Sequence, residues 1–220
     1  MDGSVTGHVG LVQTSISNAK QPWEFGPTLH ANVSAIALQL LRAARRAAGE
    51  PEEVEGMRFS DPNAVGAICK PSYTGKVTEL HQDEGYYDPA FDYSCSRVMV
   101  WLPLVDVDEA GGCMHFVSGS HRRPEQVLVH RPAPNQTMNP LPSLGFNELE
   151  VATGSDADSW ANSTPAPLPA GGAAFWLPRT LHGSARNSSA TPRKALLMSA
   201  SCDPTPLAQP FLRPWRAEVR

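Results

Sequence analysis

Apolar residues recur at helical spacing in one stretch of this chain, and short apolar runs broken by Pro and Gly fill most of the rest. From Asn32 to about Gly49, residues Val33, Ile36, Leu38, Leu40, Leu41 and Ala44 mark a helical stripe. Arg42, Arg45 and Arg46 follow near its end, where cations suit the helix dipole, and Gly49 and Pro51 stop it. Upstream, the segment to about Thr28 is rich in Gly, Ser and Pro and reads as a loop, a short strand or a partly ordered arm. After the helix the texture is that of an all-β domain with many turns. Strands are predicted at Val65 to Lys70, Val77 to His81, Arg97 to Val105, Met114 to Val117, Ala173 to Leu177 and Ala195 to Cys202. The run from Val98 to Val105 is almost continuously apolar, as expected of a strand buried on both faces. Residues 124–169 are dense in Pro, Asn, Ser and Ala without periodicity, which suggests a long loop, either a lid or an insertion.

Composition narrows the class. A length of 220 residues fits one domain over 1–220, and 41% hydrophobic with 18% charged residues is ordinary for a soluble globular protein. No apolar run approaches the roughly 20 residues of a membrane span, so no membrane partner is expected. A net charge of −4 without a basic stripe argues against nucleic acid. Cys69, Cys95, Cys113 and Cys202 are scattered, with no CxxC pair and no signal-type segment, which suits the cytoplasm or another reducing compartment. Four Asn-x-Ser/Thr patterns, at Asn32, Asn135, Asn162 and Asn187, are read as chance. Oligomeric state is not legible.

The candidate chemistry starts at His81-Gln82-Asp83. Residues two apart on a strand point to the same side, so His81 and Asp83 can converge on one metal ion. An HxD alone is a weak signal, and a third ligand must come from His8, His30, His115, His121, His130 or His182. His182 is preferred because it follows the apolar strand Ala173 to Leu177 within the compact run Leu181-His182-Gly183-Ser184. Two imidazoles and one carboxylate leave three positions open on an octahedral ferrous ion, the facial triad of non-haem iron oxygenases. The open positions suit a bidentate 2-oxo acid and dioxygen. The far carboxylate of such an acid needs a cation with a planar fork, and Arg193, eleven residues after His182, can supply it.

Several segments resemble the phytanoyl-CoA dioxygenase family in that family's order. They are Ile68-Cys69-Lys70-Pro71, Leu80-His81-Gln82-Asp83, the run from Trp101 to His121, and His182-Gly183-Ser184 through Arg193 to Leu196. The resemblance implies a mainly β fold, a double-stranded β-helix or cupin-like jelly roll with a flanking helix near the N-terminus. On that reading 1–60 is a helical flank, 61–205 the jelly-roll core and 124–169 a long loop or lid. It implies Fe(II) as the metal, 2-oxoglutarate as cosubstrate, O2 as oxidant and a small organic molecule as substrate. His81, Asp83 and His182 would hold iron, Arg193 would pair with 2-oxoglutarate, and Gln82, Trp101 and Ser184 would line the cosubstrate pocket. Gly119 and Ser120 would turn the core strands. The family's Phe-x-x-x-Gly opening is not found, so a shortened N-terminal region is expected.

The implied reaction is hydroxylation with release of succinate and CO2. Desaturation, ring closure or a cupin-type binding protein without turnover stay open, while the carboxylate of Asp83 disfavours halogenation, which needs a small residue there. Trp101 suits core and pocket equally, and His115 and His121 read as structural. Tyr86, Tyr87, Phe91 and Tyr93 form either a substrate wall or ordinary loop packing. Arg122, Arg123 and Arg131 suit a solvated surface better than an anionic substrate.

Overall fold

The computed structural model describes residues 7–8, 11–15, 27–60, 66–87, 90–122, 129–130, 149–150 and 160–208. One helix, α1 (Pro27–Ala47), flanks a set of short antiparallel strands. They are β1 (Gly7–His8), β2 (Leu11–Ser15), β3 (Arg58–Phe59), β4 (Gly66–Lys70), β5 (Thr78–His81), β6 (Phe91–Asp92), β7 (Arg97–Pro103) and β8 (Met114–Phe116). Then follow β9 (Val129–His130), β10 (Leu149–Glu150), β11 (Thr164–Ala166), β12 (Ala174–Trp176), β13 (His182–Ser184), β14 (Arg193–Ser201) and β15 (Thr205–Pro206). No described helix is long and apolar enough to cross a membrane.

Two sheets make the jelly roll. The larger runs β1-β2-β4-β14-β7-β12, with β3 also on β14, and the smaller runs β11-β8-β13-β5. The pairing of β7 with β14 sets the interior. Val98, Val100 and Leu102 alternate outward with Leu196, Met198 and Ala200 and pack against Val33, Ala37 and Leu41 of α1. Met99 and Trp101 face the other way with Ala195 and Leu197, toward Met114 and Trp176. β7 is thus buried on both faces, as its unbroken apolar run predicts.

The helix departs from the sequence reading at its start, five residues before Asn32, because Pro27 suits a first helical turn whose N–H groups have no partner anyway. Of the expected stripe, Ile36 and Leu40 are exposed, and the buried line is Val33, Ala37, Leu41 and Arg45, an i, i+4 series. Arg45 turns under the helix end, where its Nε donates to the carbonyl of Pro51 at 2.6 Å.

Strands also occur where none was expected. β1, β2 and β3 bring part of the expected helical flank into the large sheet. β11 lies within the expected loop, as does the β9–β10 pair; residues 124–128, 131–148 and 151–159, and with them the lid reading, fall outside the described residues. Pro165 hid β11 from periodicity, and it is tolerated because β11 is an edge strand. β14 begins two residues earlier than expected, which makes Arg193 its first residue.

Candidate metal centre

His81 is the last residue of β5 and His182 the first of β13, and the antiparallel register sets the two opposite each other. Their rings lie 4.3 Å apart between centroids. Asp83 opens the 3-10 turn that follows β5. Its Oδ1 lies 3.8 Å from Nε2 of His81 and its Oδ2 3.7 Å from Nε2 of His182. One ligand atom from each of the three residues lies within 4.8 Å of the others, the separation expected of donors around a single ion. Both histidines are buried, so the donors converge away from bulk water.

The donors are held from behind. Nδ1 of His182 is 2.8 Å from the carbonyl of Thr180. A carbonyl only accepts, so Nδ1 carries the proton and the Nε2 lone pair is left facing Asp83. Nε1 of Trp176 donates to Oδ2 of Asp83 at 2.8 Å. Phe116 stacks on His182 from the neighbouring strand β8, and Trp176 closes on the same ring at 4.7 Å.

A clamp joins the loop of Asp83 to the turn that leads into His182. Nε2 of Gln82 donates to the carbonyl of Arg179 at 2.7 Å, and the backbone N–H of Glu84 donates to the carbonyl of Pro178 at 3.2 Å. The Arg179 guanidinium grips the fully buried Glu84 carboxylate through Nε and Nη2, and Nη2 also reaches Asp92 at 3.1 Å. That pairing holds the Arg179 charge against the burial that opposes it. Ser120 completes the support: its Oγ donates to the carbonyl of Val117 and accepts from the N–H of Leu181, next to His182. Gly119, with φ of +73°, makes the turn before it.

Arg193 lies at the other end of the interior. Its Nη1 donates to the carbonyl of Gly112 at 2.7 Å, and its guanidinium carbon lies 5.4 Å from the centre of the Trp101 ring. Burial pulls the guanidinium down to about 10, with the Cys113 and Cys69 thiols opposing, so it stays cationic at neutral pH. Nε of Arg193 and Nε1 of Trp101 are both buried N–H donors without an acceptor. Each such group costs roughly 1–3 kcal/mol, a penalty that an oxygen-bearing ligand between them removes. Ser184 stands two residues from His182 on β13 and is buried; its carbonyl accepts from Nζ of Lys70 at 2.9 Å, tying β13 to β4. A cavity of about 440 Å³ opens at the Arg193 end, lined also by Val105, Asp106, Asp108 and Thr191, and no triad residue lines it.

Of the residues singled out in the sequence, the structure brings His81, Asp83 and His182 together and sets Trp101, Ser184 and Arg193 in the same interior. It turns the Gln82 amide to Arg179. His30 faces the carbonyl of Ser60, and His115 lies 3.1 Å from the Ser163 hydroxyl, so neither joins the triad. The side chains of His8 and His130 fall outside the described residues. Trp176, Arg179 and Glu84 were missed. The opposite charges directly flanking the two ligand motifs, in His81-Gln82-Asp83-Glu84 and in Arg179-Thr180-Leu181-His182, were the signal that could have paired the latter two.

A jelly roll whose interior gathers two histidines and one aspartate on two facing elements defines a facial-triad metalloprotein. The chain matches the family described as Phytanoyl-CoA dioxygenase (PhyH) over residues 11–195, and it belongs to that family. The peroxisomal phytanoyl-CoA dioxygenase of Bos taurus is 30% identical over 145 residues, a match that takes in 63% of this chain and 40% of that one. The chain thus spans well under half the length of that relative. Among solved structures, EvdO2 from Micromonospora carbonacea var. aurantiaca is 27% identical, with a TM-score of 0.69 over 92% of this chain and 71% of that one. The same protein complexed with 2-oxoglutarate is 29% identical, with a TM-score of 0.64 over 87% and 66%. The non-heme alpha ketoglutarate dependent carbocyclase SnoK from nogalamycin biosynthesis, at 23% identity and a TM-score of 0.59 over 99% and 73%, shares the fold.

Proposed function

We propose that this protein is a non-haem Fe(II) and 2-oxoglutarate-dependent dioxygenase that hydroxylates a small organic substrate. The observation that carries the reading is the convergence of His81, Asp83 and His182 within one 4.8 Å cluster. The donor set of two imidazoles and one carboxylate fits a ferrous ion, and no described Lys or Arg pairs with that carboxylate. The orphaned donors of Arg193 and Trp101 fit an anion further along the same interior. EvdO2, which shares the fold, has been solved with 2-oxoglutarate, and that supports the same cosubstrate here.

Bound iron would supply the dioxygen chemistry that couples oxidation of 2-oxoglutarate to succinate and CO2 with insertion of the second oxygen atom into a C–H bond of the substrate. The protein's part is placement. His81, Asp83 and His182 would hold the metal and leave room for cosubstrate and oxygen. Arg193 binds the far carboxylate of 2-oxoglutarate, and its buried guanidinium makes that pairing stronger than it would be in water. Trp101 and Ser184 wall the path between them, Gln82 fixes the loop that carries Asp83, and Trp176 with Phe116 excludes water from the donors.

The test is turnover. Purified protein supplied with Fe(II), 2-oxoglutarate and air should form succinate, and Asp83→Ala should abolish it. Succinate formation that is independent of added iron, or unchanged in Asp83→Ala, would contradict the proposal.

A further inference from the structure

The large sheet presents a line of inward side chains along β7, namely Arg97, Met99, Trp101 and Pro103, paired with Ser201, Ser199, Leu197 and Ala195 of β14. Arg193 stands two residues beyond Ala195 on the same strand. One sheet therefore carries two guanidinium groups toward opposite ends of one interior line. The triad lies between them in register, because Trp176, which holds Asp83, pairs with Met99. The cosubstrate's far carboxylate accounts for Arg193. Nothing so far accounts for Arg97.

Two other arginines of the described residues are neutralised by the protein. Arg179 is held by Glu84 and Asp92, and Arg45 by Glu50 and the carbonyl of Pro51. Arg97 is treated differently. Its Nε is buried without an acceptor, and no described carboxylate pairs with it. Its contact is with the face of the Tyr87 ring, 4.7 Å from the centroid. Tyr87 belongs to the loop of Asp83; burial first and the Asp83 charge second push its phenol well above the usual range, so it stays a neutral hydrogen-bonding group beside the metal site. Its hydroxyl lies 3.6 Å from the Met99 sulfur, which ties the loop back to the inward line of β7. Tyr93 packs on Tyr87 at 4.7 Å and Phe91 on Tyr93 at 6.4 Å, so the ring beneath the cation is itself held by aromatics. One N–H of the Arg97 guanidinium is thus buried without an acceptor, a costly state that Nε of Arg193 shares at the position where a ligand carboxylate is expected.

We propose that Arg97, backed by Tyr87, receives an anionic group of the prime substrate, so that the enzyme acts on a small carboxylic acid or phosphate ester whose reactive carbon is held over the metal. This rests on the dioxygenase reading and adds a substrate class to it. The two arginines then divide the work, one binding the cosubstrate's anion and the other the substrate's, on either side of the triad.

The test is anaerobic calorimetric titration of protein loaded with Fe(II) and 2-oxoglutarate, using benzoate, phenyl phosphate and neutral benzamide as probes. At least one anion should bind at least about tenfold more tightly than benzamide, equivalent to about 1.4 kcal/mol. Which anion prevails distinguishes a carboxylic acid from a phosphate ester. Arg97→Gln should erase the preference, and Arg97→Lys, which keeps the charge but not the planar fork, should retain part of it. Equal binding of all three probes, binding of none, or a preference that survives in Arg97→Gln overturns the proposal. So does an Arg97→Gln variant that loses 2-oxoglutarate affinity and keeps the probe preference, because Arg97 then serves the cosubstrate. If Arg97→Gln fails to fold, the wild-type preference and the Arg97→Lys comparison decide. A wild type that takes up no 2-oxoglutarate fails the dioxygenase reading; one that takes it up but shows no anion preference fails only this proposal.

Discussion

The indole N–H of Trp176 donates to Oδ2 of Asp83 at 2.8 Å, from the strand that leads into the His182 loop. The bond engages Oδ2, so Oδ1 would be the freer oxygen for a bound metal. A hydrogen bond to a charged acceptor contributes about 1.5–3 kcal/mol, and outer partners of metal ligands are typically worth about 10–100-fold in metal affinity. Trp176→Phe, which keeps an aromatic ring beside His182 but removes the donor, should weaken Fe(II) binding by that factor. Direct titration with Fe(II), or with Co(II) as a spectroscopic substitute, measures it.

Gly112 supports Arg193 in a way no other residue can. Its φ of +76° is a left-handed conformation, a Cβ there would lie 2.6 Å from the carbonyl oxygen of Ala185, and its own carbonyl accepts from Nη1 of Arg193. A non-glycine residue in that conformation costs roughly 1–3 kcal/mol before the clash is counted. Gly112→Ala should lower stability by at least that much in a denaturant titration, and in the folded fraction it should weaken 2-oxoglutarate binding.

The ion pair between Arg179 and Glu84 joins the loop of Asp83 to the loop of His182. Removing one member of a buried pair strands the other charge, at about 3–5 kcal/mol, whereas replacing both with apolar residues of similar size is often close to neutral. Arg179→Met should therefore destabilise the fold severely, and Arg179→Met combined with Glu84→Met should recover much of the loss. Chemical denaturation of the two variants gives the comparison.

These positions also show how far the sequence could be read. The candidate ligand set was legible because His81 and Asp83 sit two apart at a strand end, and because His182 and Arg193 stand in order after an apolar strand. β7 was legible because burial on both faces leaves an unbroken apolar run from Val98 to Leu102. The helix was legible as an element but not in its facing, since Ile36 and Leu40 look apolar in sequence yet lie outside the buried line through Val33, Ala37 and Leu41. β11 was not legible, because three residues containing a proline carry no periodicity and its place is set by pairing with β8. Trp176 and Arg179 were not legible as supports, because their partners lie more than eighty residues away and only the folded sheets bring them together.

The central claim is most directly tested by anaerobic titration of the metal-free protein with Fe(II) and then 2-oxoglutarate, followed in the visible range. A weak charge-transfer band should grow to saturation at one 2-oxo acid per iron, fail to appear in Asp83→Ala, and require much higher 2-oxoglutarate in Arg193→Gln while iron binding persists. Iron that binds without any such band in the wild-type protein, or a band unaffected by either substitution, would contradict the account.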